Sequence, residues 1–215
     1  MQEVESIVSK AFRLPSGQPS TYAAPKVIAG REQVQTIQER LDVAQGKLNM
    51  GLRAGATYAS DQYPALLVYN GLLGGFPHSK LFVNVREKAS LAYYASSRLD
   101  GHKGILTIQS GIEIVNYERA VAIIREQISE MKAGNFAAED LGRTQAMIIN
   151  HLRELQDSAF ERISFDFNNV VSGIERTGES FIADIQSVTP EMVTSAAQGV
   201  QLDTIYFLRD RKEES

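Results

Sequence analysis

Apolar and polar positions repeat with two different periods along this chain, and the switches between them mark its elements. Val4, Ile7, Val8, Ala11 and Phe12 recur at helical spacing, which predicts an amphipathic helix over residues 3–13. Pro15-Ser16-Gly17-Gln18-Pro19-Ser20 breaks it and Pro25 prolongs the break, so a linker runs to residue 30. Residues 1–30 are thereby set apart from a main domain over 31–215. The opening helix has two readings: it packs against an upstream half, or it docks on its own domain.

Period two takes over at Val34 to Arg40 and again at Gly46 to Arg53. In the second run Leu48, Met50 and Leu52 alternate with Lys47, Asn49 and Gly51, the pattern of a strand with one buried face. Ser60 or Asp61 can cap the next helix, which carries Leu66, Leu67, Tyr69, Asn70 and Leu73. Gly74-Gly75 ends it. Pro77-His78-Ser79 opens a short helix that turns Leu81, Phe82 and Val85 inward and stops near Lys88. Leu91–Arg98, a Gly101-His102-Lys103-Gly104 turn and Ile105–Gly111 predict an antiparallel strand pair. After Asn116 the period becomes helical. Val121, Ile124, Ile128 and Met131 form one stripe, Leu141, Ile148, Leu152 and Leu155 a second, and Phe160, Ile163, Phe167, Val170 and Ile174 a third. Phe181, Ile182 and Ile185 suit a short helix, Thr189-Pro190-Glu191 starts another, and Leu202 to Leu208 closes the chain as a strand. Segregated strands and helices imply an α+β fold, an antiparallel sheet with helices packed on one face.

Composition narrows the function classes. Of 215 residues 43% are hydrophobic and 22% charged, enough apolar material for a packed core. A net charge of −4 without a basic run speaks against nucleic acid, which requires clustered Lys and Arg. No apolar run approaches the roughly 18 residues of a membrane span, and Met1-Gln2-Glu3-Val4-Glu5 lacks the start of a signal peptide. The absence of cysteine excludes disulfides and thiolate metal sites, and makes the cytoplasm the expected setting.

The stretch Leu72 to Tyr94 carries the most information. Leu73-Gly74-Gly75, then Ser79-Lys80-Leu81-Phe82, Val85-Arg86-Glu87-Lys88 and Leu91-Ala92-Tyr93 resemble the signature of the second, non-zinc half of a pitrilysin-type (inverzincin) zinc peptidase, the group that includes processing peptidases. The run through Ala89-Ser90-Leu91-Ala92-Tyr93-Tyr94-Ala95 is similar to the bacterial, inactive-partner branch. The resemblance spans about residues 33–210. It implies one of two similar halves facing each other across a chamber, with zinc held by the H-x-x-E-H motif of the other half.

The histidines bear on catalysis directly. In the family that the chain resembles, zinc hydrolysis needs two histidine ligands one helical turn apart, a downstream glutamate ligand and a glutamate base. The chain holds only His78, His102 and His151, and none opens H-x-x-E-H. His151-Leu152-Arg153-Glu154-Leu155 comes nearest, with Leu155 where the second ligand would stand; the residues alone read as a polar pair on an exposed helix face. No catalytic or metal-ligating residue is therefore expected in this chain, nor activity alone.

The resemblance implies substrate-binding roles for Arg86, Tyr93, Gly74 and Gly75. Arg86 and Tyr93 match an arginine and a tyrosine that hold the substrate backbone and a developing oxyanion, and the glycine pair matches a loop lining the chamber. Read alone, Arg86 equally pairs with Glu87 or a helix end, Tyr93 packs on the sheet, and a glycine caps a helix. Tyr94 is expected on the face opposite Tyr93. His78 reads as a helix-start residue, and Phe76-Pro77-His78 and Ser90 depart from the family's usual small residues. The expected partners are a zinc-bearing half or subunit and an extended peptide, with a homodimer as a further possibility. The competing class is an assembly module sharing the fold, without a peptidase role.

Overall fold

The computed structural model describes residues 2–12, 30–155 and 157–211. The linker expected over residues 13–29 lies outside the described residues. Helix α1 (Gln2–Ala11) precedes it and buries none of its residues; Val4, Ile7, Val8 and Phe12 all face solvent.

Five strands form one sheet: β1 (Gln35–Arg40), β2 (Gly46–Arg53), β3 (Ala92–Asp100), β4 (Ile105–Ile112) and β5 (Gln201–Arg209). Their spatial order is β1-β5-β2-β4-β3. The central pairs and the β3–β4 hairpin are antiparallel. The β1–β5 pair is parallel, the one departure from the expected antiparallel sheet. The whole domain lies between those two strands in sequence, so a long crossover allows parallel pairing that no hairpin could provide.

Alternation sorts the sheet into two faces. Leu48, Met50 and Leu52 of β2, Leu106, Ile108 and Ile112 of β4, and Ile205 and Phe207 of β5 are buried together. Residues of opposite phase, such as Lys47, Arg98 and Gln109, are exposed. Burying an apolar side chain of this size contributes roughly 1.5–3 kcal/mol, which makes a one-residue slip prohibitive.

The covering helices follow their stripes. In α2 (Tyr63–Asn70) Leu66 and Tyr69 are buried, and in α3 (Tyr117–Lys132) Ala120, Ile124, Ile128 and Met131 point inward. In α4 (Ala138–Leu155) Leu141, Ile148, Ile149 and Leu152 do the same. Helices α6 (Gly178–Ser187) and α7 (Pro190–Gly199) begin at Thr177 and Thr189, whose hydroxyls accept the backbone N–H of Ser180 and Met192. Helix α5 (Ala159–Ser172) differs: Asn169 is its only buried residue, while Phe160, Ile163, Phe167 and Val170 face solvent.

Candidate functional site

Two π-helical segments frame the site. The first, Gly71–Gly75, continues α2 without a break, and the second is Phe82–Lys88. Such i→i+5 turns are rare and concentrate where a side chain must be re-aimed. Gly74 lies where the first segment crosses β3. A Cβ there would sit 2.5 Å from the Ser97 backbone nitrogen and 2.8 Å from Leu81 Cδ1. The contact is fixed further by Ser97, whose hydroxyl donates to Asn70 Oδ1 at 2.8 Å.

This placement corrects part of the expectation for the glycine pair. Gly74 is buried and offers no surface to a ligand; its small size serves the close helix–strand approach. Neither glycine adopts the left-handed backbone of a helix cap, since both have ordinary φ. Gly75 is exposed, and the chain turns out of the helix at Phe76. Phe76 stacks on His78 at 5.8 Å, and His78 Nε2 is hydrogen-bonded to Thr144 Oγ1 at 2.8 Å. His78 is thus a structural residue that ties the loop to α4.

The second segment carries Val85 into the core and leaves Arg86 outside. The Arg86 guanidinium lies over the Phe82 ring, 4.5 Å from its centroid. It makes no ion pair among the described residues, so it is held by stacking with its polar edge open. The turn to β3 is closed by the Leu91 N–H donating to Val85 O at 3.2 Å. Ser90, at φ 51°, makes that turn, and its hydroxyl donates to Glu87 O.

Tyr93 enters through a β-bulge. Ala92 pairs with Ile112 and Tyr94 with Gly111, which leaves Tyr93 without a residue opposite it. The bulge upsets the simple alternation expected for Tyr93 and Tyr94. Tyr93 is 64% exposed and lines the same recess as Arg86, while the Tyr94 ring lies over Gly111, also accessible. Arg86, Ser90, Leu91, Ala92, Tyr93 and Glu113 together line one open recess of about 370 Å³. The hairpin register brings Glu113 there, one residue beyond Ile112. The sequence reading missed it, although the register of Leu91–Arg98 on Ile105–Gly111 was signal enough. Phe82, expected to turn inward, is only half-buried, because its ring lies under Arg86 four residues on.

A guanidinium, a phenol and a carboxylate at one recess can bind main-chain carbonyls and amides of an extended peptide. They cannot hold zinc for hydrolysis. His151 and Glu154 are both exposed on α4, and no group of three or more metal-capable side chains comes together among the described residues. His102 is occupied by Asn168 at 2.9 Å and by Ser172 at 3.3 Å. The early helix α2 carries no histidine. The residues present do not fit the metal, and no step of zinc chemistry can be assigned to them.

The chain is thus an α+β domain with one helix-covered and one open sheet face, and with a recess that holds Arg86 and Tyr93. Residues 2–148 match the peptidase M16 inactive domain family, and the chain belongs to that family. It is 44% identical over 211 residues to YmfF of Bacillus subtilis, described as a probable inactive metalloprotease; the match covers 96% of this chain and 48% of that protein. A conserved protein from Enterococcus faecalis of known crystal structure is 32% identical, with a TM-score of 0.90 over 98% of this chain and 50% of that one. The peptidase M16 inactive domain from Pseudomonas fluorescens shares the fold, with a TM-score of 0.77 at 17% identity, over 100% of this chain and 52% of that one. The chain spans about half the length of the curated relatives it matches. Among the described residues no helix is long and apolar enough to cross a membrane.

Proposed function

We propose that this chain is the noncatalytic half of a pitrilysin-type peptidase assembly, which completes a chamber opposite a zinc-bearing half and holds extended peptide. The observation that carries the reading is the shared recess: Arg86 and Tyr93 are both exposed and line one concavity with Glu113. In an assembly module without peptide chemistry, nothing requires these two polar tips to be open and adjacent. Arg86 would donate to a substrate carbonyl and Tyr93 would place its hydroxyl beside it, with exposed Gly75 available to the same peptide. Zinc would belong to the other half. Helix α1, with its apolar face unburied, would pack on that upstream half. The reading sets the assembly in the cytoplasm of a bacterium.

The test is binding of a dye-labelled unstructured peptide by fluorescence anisotropy. Arg86→Ala should weaken binding about tenfold, the equivalent of one charge-assisted hydrogen bond of roughly 1.5 kcal/mol. Its melting temperature should stay within about 1 °C of the parent, as befits an exposed side chain away from the core. Unchanged affinity would argue against the recess as a peptide site. A large fall in melting temperature would make Arg86 structural.

A further inference from the structure

Helix α5 is built inside out. Its inward contacts are largely polar: Asn169 accepts from the Tyr58 hydroxyl and donates to Arg176 O, Asn168 bonds His102 Nε2, and Ser172 bonds His102 Nδ1. Phe165, whose ring lies tilted against Phe181 at 6.4 Å between centroids, is its main apolar anchor. The outward face is the apolar one. Phe160 is 74% exposed, Ile163 67%, Phe167 63% and Val170 78%. With Ser164 and Val171 these residues occupy a sector about 120° wide, the width of a core-facing stripe. The sector contains no charge, and the helix is well formed, capped by Ser158 at its start and by Gly173 at φ 66° at its end. A helix that spends its polar side chains inward and turns its largest apolar ones outward is shaped for a second protein surface.

We propose that the outward face of α5 is the docking surface for the other peptidase half, whose matching face is an uncharged apolar helix or sheet surface. This inference rests on the paired-half reading above. Three observations select the occupant. YmfF and the Enterococcus protein each carry about as much chain again outside the matched portion, with 48% and 50% of them covered. The borders of the stripe, Asp166 and Asn168, bear no positive charge, which disfavours an anionic lipid surface. The four exposed side chains offer on the order of 500 Å². That is less than the roughly 800 Å² per partner of a stable interface, so α5 would be one part of a larger contact between the two halves, whereas two copies meeting through α5 alone would bury too little. A second copy of this chain is therefore the weaker occupant.

The experiment co-expresses this chain with the part of Bacillus subtilis YmfF that the match leaves uncovered, and measures complex formation by size-exclusion chromatography with light scattering. The parent chain should form a 1:1 complex. Phe167→Asp and, separately, Ile163→Ser should weaken it at least tenfold, while Arg119→Ala, at an exposed position of α3, should not. Circular dichroism and melting of the isolated variants show that the fold is kept. A complex insensitive to both α5 substitutions would overturn the α5 assignment and leave the paired-half reading standing. No complex with the parent chain would overturn the paired-half reading, and the α5 assignment with it. A homodimer of the parent that Phe167→Asp dissolves would hand the surface to a second copy and overturn the assignment.

Discussion

At the residue scale, Ser90 and Asp203 show how single side chains hold the site and the sheet in place. Among the described residues Ser90 is the one non-glycine with a left-handed backbone, φ 51°, at the turn joining the Arg86 helix to the Tyr93 strand. Replacing it with glycine relieves a Cβ clash of roughly 1 kcal/mol, partly offset by chain entropy and the lost bond to Glu87 O. Ser90→Gly should raise the melting temperature by about 1–2 °C. A clear decrease would mean that the hydroxyl bond outweighs the strain. Asp203 accepts from the Thr204 hydroxyl at 2.8 Å and from Arg53 Nε at 3.2 Å, with Arg31 Nε 3.7 Å away. These groups, Thr204 foremost, hold its carboxyl below the ordinary carboxylate range. A folded-state value below the unfolded one means stability that is present above about pH 4 and lost as pH falls through the lower folded value. Asp203→Asn should therefore lower the melting temperature at pH 7, and the difference from the parent should shrink in acid. A gap that stays constant down to acid pH would contradict this. At this scale the sequence was a partial guide. Arg86 was legible from its motif, but the Tyr93 bulge was not, because nothing in Leu91-Ala92-Tyr93-Tyr94 marks which residue the opposing strand will skip.

At the element scale, the glycine pair separates packing from exposure. Gly74→Ala would drive a methyl to 2.5 Å from a backbone nitrogen that cannot rotate away, at a cost of about 2–3 kcal/mol. Gly75→Ala meets nothing nearer than Asn70 O at 3.2 Å and should cost less than about 1 kcal/mol. Chemical denaturation of the two variants checks the order, and equal losses would contradict it. Helices and strands were largely legible because their periods were long and clean: Leu48, Met50 and Leu52 alternate, and Ile124, Ile128 and Met131 recur. The two π segments were not, since one inserted residue barely perturbs a short apolar pattern. The facing of α5 was also hidden. Periodicity shows that a helix has an apolar face and says nothing about what covers it; Asn168, Asn169 and Ser172 were bound to the domain only through distant partners, His102, Tyr58 and Arg176.

At the scale of the whole molecule, one sheet face and its helices form a closed core. The surfaces left open include the polar sheet face, the Arg86–Tyr93–Glu113 recess and the apolar faces of α1 and α5. The chain belongs to the peptidase M16 inactive domain family and covers about half of each curated relative it matches. The fold class was legible from the order of strands and helices. The parallel β1–β5 pair was not, because it joins the two ends of the domain and leaves no local trace. The central claim is tested most directly by measuring zinc content and cleavage of an unstructured peptide, for this chain alone and mixed with a zinc-bearing half. The paired-half reading predicts no zinc and no cleavage alone, cleavage on mixing, and loss of most of that cleavage in Arg86→Ala. Stoichiometric zinc with cleavage by the isolated chain would contradict it, as would a mixture that stays inert.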